Sequence, residues 1–270
     1  MEQGQVIAEG KTKRIRETPN FNVVLIESKD DITAGDGARR DMIEDKGTIA
    51  TETTVNCFKL LTEKKVPNHF IRQTGAATFE AQRVSMIPIE IVVRRVATGS
   101  YRKRRPDVAE GTILDYPVEF FYKDDANHDP LIVHDFVSDR ILYFDPKQPL
   151  ATGFLKEEPL ADPSHVCQQL LVMKDLALRT FKVLEEAWAK RGVTLVDLKI
   201  ECGVTADGEI VVADVIDNDS WRIWPKGDKG LMVDKQVYRD LEDTTPEALG
   251  AIKKNYAWVA EQTRQFLIAA

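Results

Sequence analysis

Hydrophobic positions come in short runs through the first half of the chain and recur at helical spacing in the second. Residues 6–8, 23–27, 69–72, 89–96 and 118–122 are β-branched or aromatic runs bounded by Gly, Pro and Asp, which predicts strands. Between them, residues 46–65 carry Ile49, Val55, Phe58 and Leu61 without a proline and predict a helix. From Ser164, an N-cap by residue type, a second stripe runs through Val166, Leu170, Met173, Ala177, Phe181, Leu184 and Trp188. Thr245-Pro246 opens a last helix whose apolar face is Leu249, Ile252, Tyr256, Val259 and Phe266. Both stripes predict core contacts rather than cofactor boxes. Residues 124–163, rich in Pro and Asp, read as a long irregular surface connection, and 30–40 and 214–224 as Asp/Gly/Asn-dense loops. No repeat or flexible linker interrupts the pattern, and the softest boundary falls near residues 85–90.

Composition narrows the class. With 43% hydrophobic and 30% charged residues in 270, the chain is a folded domain or two packed lobes, not a disordered segment. A formal net charge of −7 repels nucleic acid on average, so any basic patch is a local device. Cys57, Cys167 and Cys202 are too few and too far apart for a disulfide framework or a thiolate metal site, and the settings of Cys57 and Cys202 predict buried, inert thiols. The start has no apolar leader and no run approaches a membrane span, so the expectation is a cytoplasmic protein with no membrane or nucleic-acid partner.

Candidate chemistry concentrates in residues 195–214. Alternation sets Asp197, Lys199 and Glu201 on the face opposite Val196, Leu198, Ile200 and Cys202. A two-residue turn at Asp207-Gly208 pairs Val204 with Val211 and brings Glu201 opposite Asp214. Facing carboxylates repel, and a divalent cation removes that penalty; Mg²⁺ uses one or two carboxylates plus phosphate oxygens, with Lys199 in reach of a phosphate. The competing reading is an exposed polar face. Residues 9–13, EGKTK, fail the Walker register because Gln5 stands where glycine is needed, but suit a hairpin loop over phosphates, with Lys11 and Lys13 pointing the same way; a solvated turn is the alternative. Residues 94–105 hold six basic residues around Thr98-Gly99-Ser100, suited to a phosphate monoester. A solvated basic face remains open there, while the acidic total and scarce aromatics count against nucleic acid. His69, His128, His134 and His165 have no metal-ligand spacing.

Six ordered stretches, EGKTK, SKDDITAGDGAR, MIPIEIVVRRVATGSYRKR, KDDANHDP, LVDLKIECG and DVIDNDSWRIWPKGDK, resemble the SAICAR synthetase family (phosphoribosylaminoimidazole-succinocarboxamide synthases) from about residue 7 to 267, except 137–162. The motifs look most like those of the bifunctional animal enzymes, and the chain is expected to lack their second, carboxylase domain. The resemblance implies an α+β fold of two lobes, 1–87 and 88–270, with ATP in a cleft beneath a kinase-like N-terminal antiparallel sheet. It implies a ligase joining carboxyaminoimidazole ribotide (CAIR) and L-aspartate, with ATP, to give SAICAR, ADP and phosphate. Mg²⁺ is the expected cofactor, and the oligomeric state is open, a homo-oligomer included.

Carried over by motif, Lys11 and Lys13 match phosphate-loop lysines, Met86 an adenine-lining backbone position, Lys199 a lysine near the phosphates, and Glu201 and Asp214 the Mg²⁺–ATP carboxylates. Arg94 and Ser100 match CAIR-binding residues, Arg222 and Arg239 other substrate-anion arginines, and Asp197 and Asp219 carboxylates near the ribose and imidazole. Asp36 and Lys199 are the expected catalytic pair, and Lys123, His128 and Asp129 a candidate wall for aspartate. Arg95 and Trp221 depart from the bacterial pattern, so the contacts beside them are the least transferable. Two rival readings are a small-molecule kinase and a regulatory nucleotide-binding module; retained lysines and carboxylates argue against the second.

Overall fold

The computed structural model describes residues 4–35 and 37–268. Strands β1 (Val6–Glu9), β2 (Lys13–Glu17) and β3 (Val23–Ser28) open an antiparallel sheet, followed by a small hairpin of β4 (Asp31–Ala34) and β5 (Arg39–Met42). Helix α1 (Lys46–Glu63) leads to β6 (Phe70–Gly75) and β7 (Thr78–Gln82), which complete the first sheet in the order β1-β2-β3-β7-β6. Strand β8 (Ser85–Arg94) runs straight into a second, eight-stranded sheet with α2 (Gly99–Arg104), β9 (Val118–Tyr122), β10 (Leu131–Asp135), β11 (Arg140–Phe144) and β12 (Phe154–Pro159). Helix α3 (Pro163–Ala189), β13 (Val193–Val204), β14 (Ile210–Ala213), β15 (Trp221–Pro225), the short α4 (Gln236–Arg239) and α5 (Pro246–Arg264) finish the chain. The fold is α+β with antiparallel sheets, and no described helix is long and apolar enough to cross a membrane.

Helices and core follow the stripes. Met173, Ala177, Phe181, Leu184 and Trp188 of α3 are buried against β13, while Ile252 and Tyr256 of α5, which packs on α1, are buried with Ile32, Ile43 and Tyr238, and Val259 joins the main core. Thr245 caps α5 with Pro246 in its first turn. For α3 the cap is Asp162 rather than Ser164: its carboxylate accepts the His165 N–H at 3.0 Å, and Pro163 takes the first turn, where a missing N–H costs nothing. Helix α1 joins the layers, with Val55 in the core of the first sheet and Phe58 and Leu61 in that of the second. Cys57 and Cys202 are buried as expected, and burial pushes the Cys202 thiol up to about 12.

Three stretches differ from their expected irregularity. Residues 124–163 contain the β10-β11-β12 meander that extends the second sheet, with Ile132, Ile141 and Tyr143 packed beneath it. Residues 30–40 include β4 and the start of β5, and residues 214–224 end in β15, which pairs with β13. These strands are short and carry charges that pair across the ladder, so hydrophobic alternation is weak in each.

Candidate active site

A cleft of about 1040 Å³ opens between the first sheet and the inner face of β8 and β13. Its position follows from how β13 is paired. On one edge β13 is covered by β8, and on the other by two strands in succession: β15 along Val193–Leu198 and β14 along Glu201–Val204. Where they part, the chain from Asp214 to Ser220 leaves the ladder, and the Lys199 N–H is taken up by the Ser220 carbonyl at 2.7 Å. That irregular segment forms one wall of the cleft, beside Lys199 and Glu201.

The opposite wall is the β1–β2 hairpin, closed by the Gly10 N–H on the Lys13 carbonyl at 2.9 Å, with Lys11 and Lys13 both facing the cleft. Ile15, Val24, Ile26, Met86 and Val215 supply an apolar slot. Lys123, Asp129, Asp219, Lys235 and Arg239 line the remaining wall.

The hairpin register differs from expectation by one residue. Glu201 pairs with Ala213, and Val204 with Ile210. The turn uses three residues, with Gly208 at φ 83° and the Thr205 N–H bonded to the Glu209 carbonyl at 2.9 Å, and the added residue shifts every pair beyond it. A one-residue shift would send Asp214 to the wrong face. It reaches the cleft because its backbone turns left-handed at φ 65°, ending strand alternation there, and its carboxylate accepts a hydrogen bond from Lys13.

Charges here occur as pairs. Glu201 stands directly opposite Glu90 on β8; Lys199 donates to Glu90 at 2.7 Å and lies 3.6 Å from Glu201, while Lys123 donates to Glu201 at 2.9 Å. Burial pulls the Lys199 pKa down, but Glu90 and Glu201 outweigh it and hold the ammonium above its ordinary range. Burial likewise raises the Asp214 carboxyl, and Lys13 brings it back below the usual range. Asp219 accepts from Lys235 at 2.7 Å and from the Tyr256 hydroxyl at 2.8 Å; against burial, the charges of Lys46 and Lys235 keep it well below the ordinary value.

A second cluster continues along the same face of β13. Asp197 accepts from Arg94 at 2.9 Å and from Arg222 at 2.5 Å, and Arg94 also donates to Glu119 at 2.7 Å. Glu119 in turn holds the buried Arg104 at 2.6 Å. The Arg222 guanidinium packs over Gly99, next to Ser100 at the start of α2, and Gly99 has a φ of 55°.

Of the residues expected to act together, Lys11, Lys13, Met86, Lys123, Asp129, Lys199, Glu201, Asp214, Asp219 and Arg239 converge on the cleft. Arg94, Ser100, Asp197 and Arg222 belong to the adjoining cluster, where Arg94 is buried and committed to Glu119 and Asp197. His128 is exposed outside the cleft wall, and Asp36 lies outside the described residues. Sequence reasoning did not single out Glu90, Glu119, Lys235 or His69. Glu90 and Glu119 were visible as lone acids inside the apolar runs IPIEIVV and VEFFY.

Residues 6–253 match the SAICAR synthetase family. The phosphoribosylaminoimidazole-succinocarboxamide synthase of Herpetosiphon aurantiacus is 44% identical over 268 residues, covering 98% of this chain and 100% of that protein. Multifunctional protein ADE2 of Gallus gallus is also 44% identical, but there the chain spans 59% of the longer protein. A solved SAICAR synthetase (Type-2) in complex with ADP superposes with a TM-score of 0.74 at 30% identity, covering 94% of this chain and 98% of that one. The chain belongs to the SAICAR synthetase family.

Proposed function

We propose that this chain is the ATP-dependent ligase of purine synthesis that joins CAIR to L-aspartate. The observation that carries the reading is the convergence, in one cleft, of the Lys11–Lys13 hairpin, two carboxylates from the β13–β14 region, and the cations Lys123, Lys235 and Arg239. Three anions have to meet, and the cations are local to the cleft although the chain as a whole is acidic.

The chemistry follows from the poor electrophilicity of a carboxylate. A CAIR carboxylate oxygen attacks the γ-phosphorus of ATP and ADP departs. The aspartate amine then attacks the carbonyl carbon of the acyl phosphate, phosphate leaves with the C–O electrons, and the amine gives up a proton. Lys11 and Lys13 draw the phosphates in, the Met86 backbone and the apolar slot take the adenine, and Lys199 stabilises charge at the transferred phosphoryl group. Asp36 is assigned to the reacting carboxylate.

Glu201 and Asp214 are hard oxygen donors on the cleft wall and would hold Mg²⁺ against the nucleotide phosphates. Among the described residues no three acidic, histidine or cysteine side chains form a closed metal cage, which suits an ion shared with the nucleotide. When bound, Mg²⁺ neutralises phosphate charge during transfer. Arg222, Ser100 and Arg239 are assigned to the CAIR anions, with Asp219 and Asp197 near its ring and ribose. Arg94 is assigned to the same substrate through the Asp197–Arg222 pair it braces. Lys123, His128 and Asp129 are assigned to aspartate. Two lobes, divided near residue 87 with the nucleotide beneath the first sheet, agree with this use of the cleft.

An ADP-release assay tests the reading. The ligase needs both CAIR and L-aspartate, a kinase needs no aspartate, and a binding module releases no ADP. Full-rate ADP formation without aspartate overturns the ligase.

A further inference from the structure

Asp214 reaches the cleft only because its backbone is left-handed, a conformation that residues with a Cβ enter at a cost. The segment that carries it has left the β ladder, so its carbonyls need other partners. Three side chains provide them in succession. His69 Nε2 lies 3.0 Å from the Asp214 carbonyl, the Ser220 hydroxyl 3.2 Å from that of Val215, and the Thr54 hydroxyl 3.2 Å from that of Ile216. A carbonyl only accepts, so the His69 Nε2 carries the proton and donates.

His69 is itself tightly held. Its N–H donates to the Val212 carbonyl at 2.9 Å, its carbonyl accepts from Gln82 at 2.7 Å, and its ring meets Phe58 and Phe79 edge-on at centroid distances of 5.3 and 6.1 Å. The side chain is therefore anchored by the first sheet and by α1, and reaches across to the point where the strand alternation of the second breaks.

We propose that His69 is a positioning residue for the nucleotide-bound metal: its Nε2–H holds the Asp214 carbonyl so that the Asp214 carboxylate is aimed into the cleft before any ligand arrives. This rests on the assignment of Asp214 as a metal ligand. The Lys13 hydrogen bond alone does not achieve this, because it engages the carboxylate and leaves the backbone that carries it unheld.

Calorimetric titration of ADP, with excess Mg²⁺ and with chelator, tests the proposal without relying on turnover. Replacing His69 by Phe keeps the ring and removes the donor; His69→Gln restores an N–H with poorer packing. In His69→Phe the Mg²⁺ concentration needed to tighten ADP binding rises on the order of tenfold, while metal-free ADP affinity stays at the wild-type value; His69→Gln recovers most of the loss. Wild-type Mg²⁺ dependence in His69→Phe overturns the proposal, as does a ranking in which Phe is normal and Gln is impaired, the order that packing alone produces. Should His69→Phe not fold, His69→Leu supplies the same donor-free comparison. Asp214→Asn is measured alongside. Retained Mg²⁺ enhancement there overturns the assignment of Asp214 itself, whereas its loss together with a normal His69→Phe overturns only the role of His69.

Discussion

Glu90 and Glu201 face each other across β8 and β13, and Lys199 bridges them, 2.7 Å from the first and 3.6 Å from the second. Like charges in register repel, so the ammonium between them is a requirement of the fold, whatever it also does in the proposed phosphoryl transfer. Lys199→Met leaves both acids without it. The expected outcome is a fall in kcat of on the order of 10²-fold, from loss of a charge-stabilising group. The same variant also has a lower melting temperature, which separates Lys199 from a purely catalytic lysine. Unchanged stability with lost activity would show that Lys123 alone neutralises the acids.

Glu201→Gln and Asp214→Asn keep shape and remove charge. Each is expected to lower Mg²⁺-dependent turnover by ~10²-fold or more, equivalent to several kcal/mol of phosphate charge stabilisation, with circular dichroism unchanged. Near-normal turnover in both variants would dissociate these carboxylates from the metal.

Arg94 spans Glu119 and Asp197 with two nitrogens of one rigid fork, which an ammonium cannot reproduce. In Arg94→Lys, CAIR binding weakens while ATP binding is unchanged, because the fault passes through Asp197 to Arg222. Arg94→Ala leaves Asp197 to Arg222 alone and Glu119 to Arg104 alone, and lowers stability in denaturant titration by less than the roughly 3–5 kcal/mol of a fully unpaired buried charge. A fall in ATP affinity in Arg94→Lys would displace the cluster from the CAIR side.

A methyl at position 99 meets the Arg222 Nη2 at 2.7 Å, and the backbone there is left-handed at φ 55°. Gly99→Ala therefore pushes Arg222 aside. The expected result is a raised KM for CAIR with the KM for ATP unaffected, and equal changes in both would mean a general loss of structure.

Asp234 gives the stability a pH dependence of defined sign. Burial raises its carboxyl to about 6, although backbone N–H groups of Ile223 and Gln236 donate to it. The native state then holds a proton that the unfolded chain releases near pH 4. This contribution is complete below about pH 4 and is lost as pH rises through about 6, a change on the order of 3 kcal/mol. Asp234→Asn removes that component, so its stability relative to wild type improves between pH 4 and 7 in denaturant titrations. A constant difference across that range would contradict it.

The local pattern determined much of this protein. Apolar spacing gave α3 and α5, Thr245-Pro246 gave the start of α5, and glycine with two lysines gave the β1–β2 hairpin, because each depends on neighbours within a few residues. Tertiary structure decided the rest. The strands between residues 124 and 163 exist because the β9 edge is there to pair with, and their charged residues hide the alternation. Asp214 enters the site through a left-handed turn that no alternation reports, and its supporting His69 lies 145 residues away in sequence. Which arginine meets solvent and which is buried between acids is likewise decided by packing, since residue type sets a charge but only the assembled sheets set its partners.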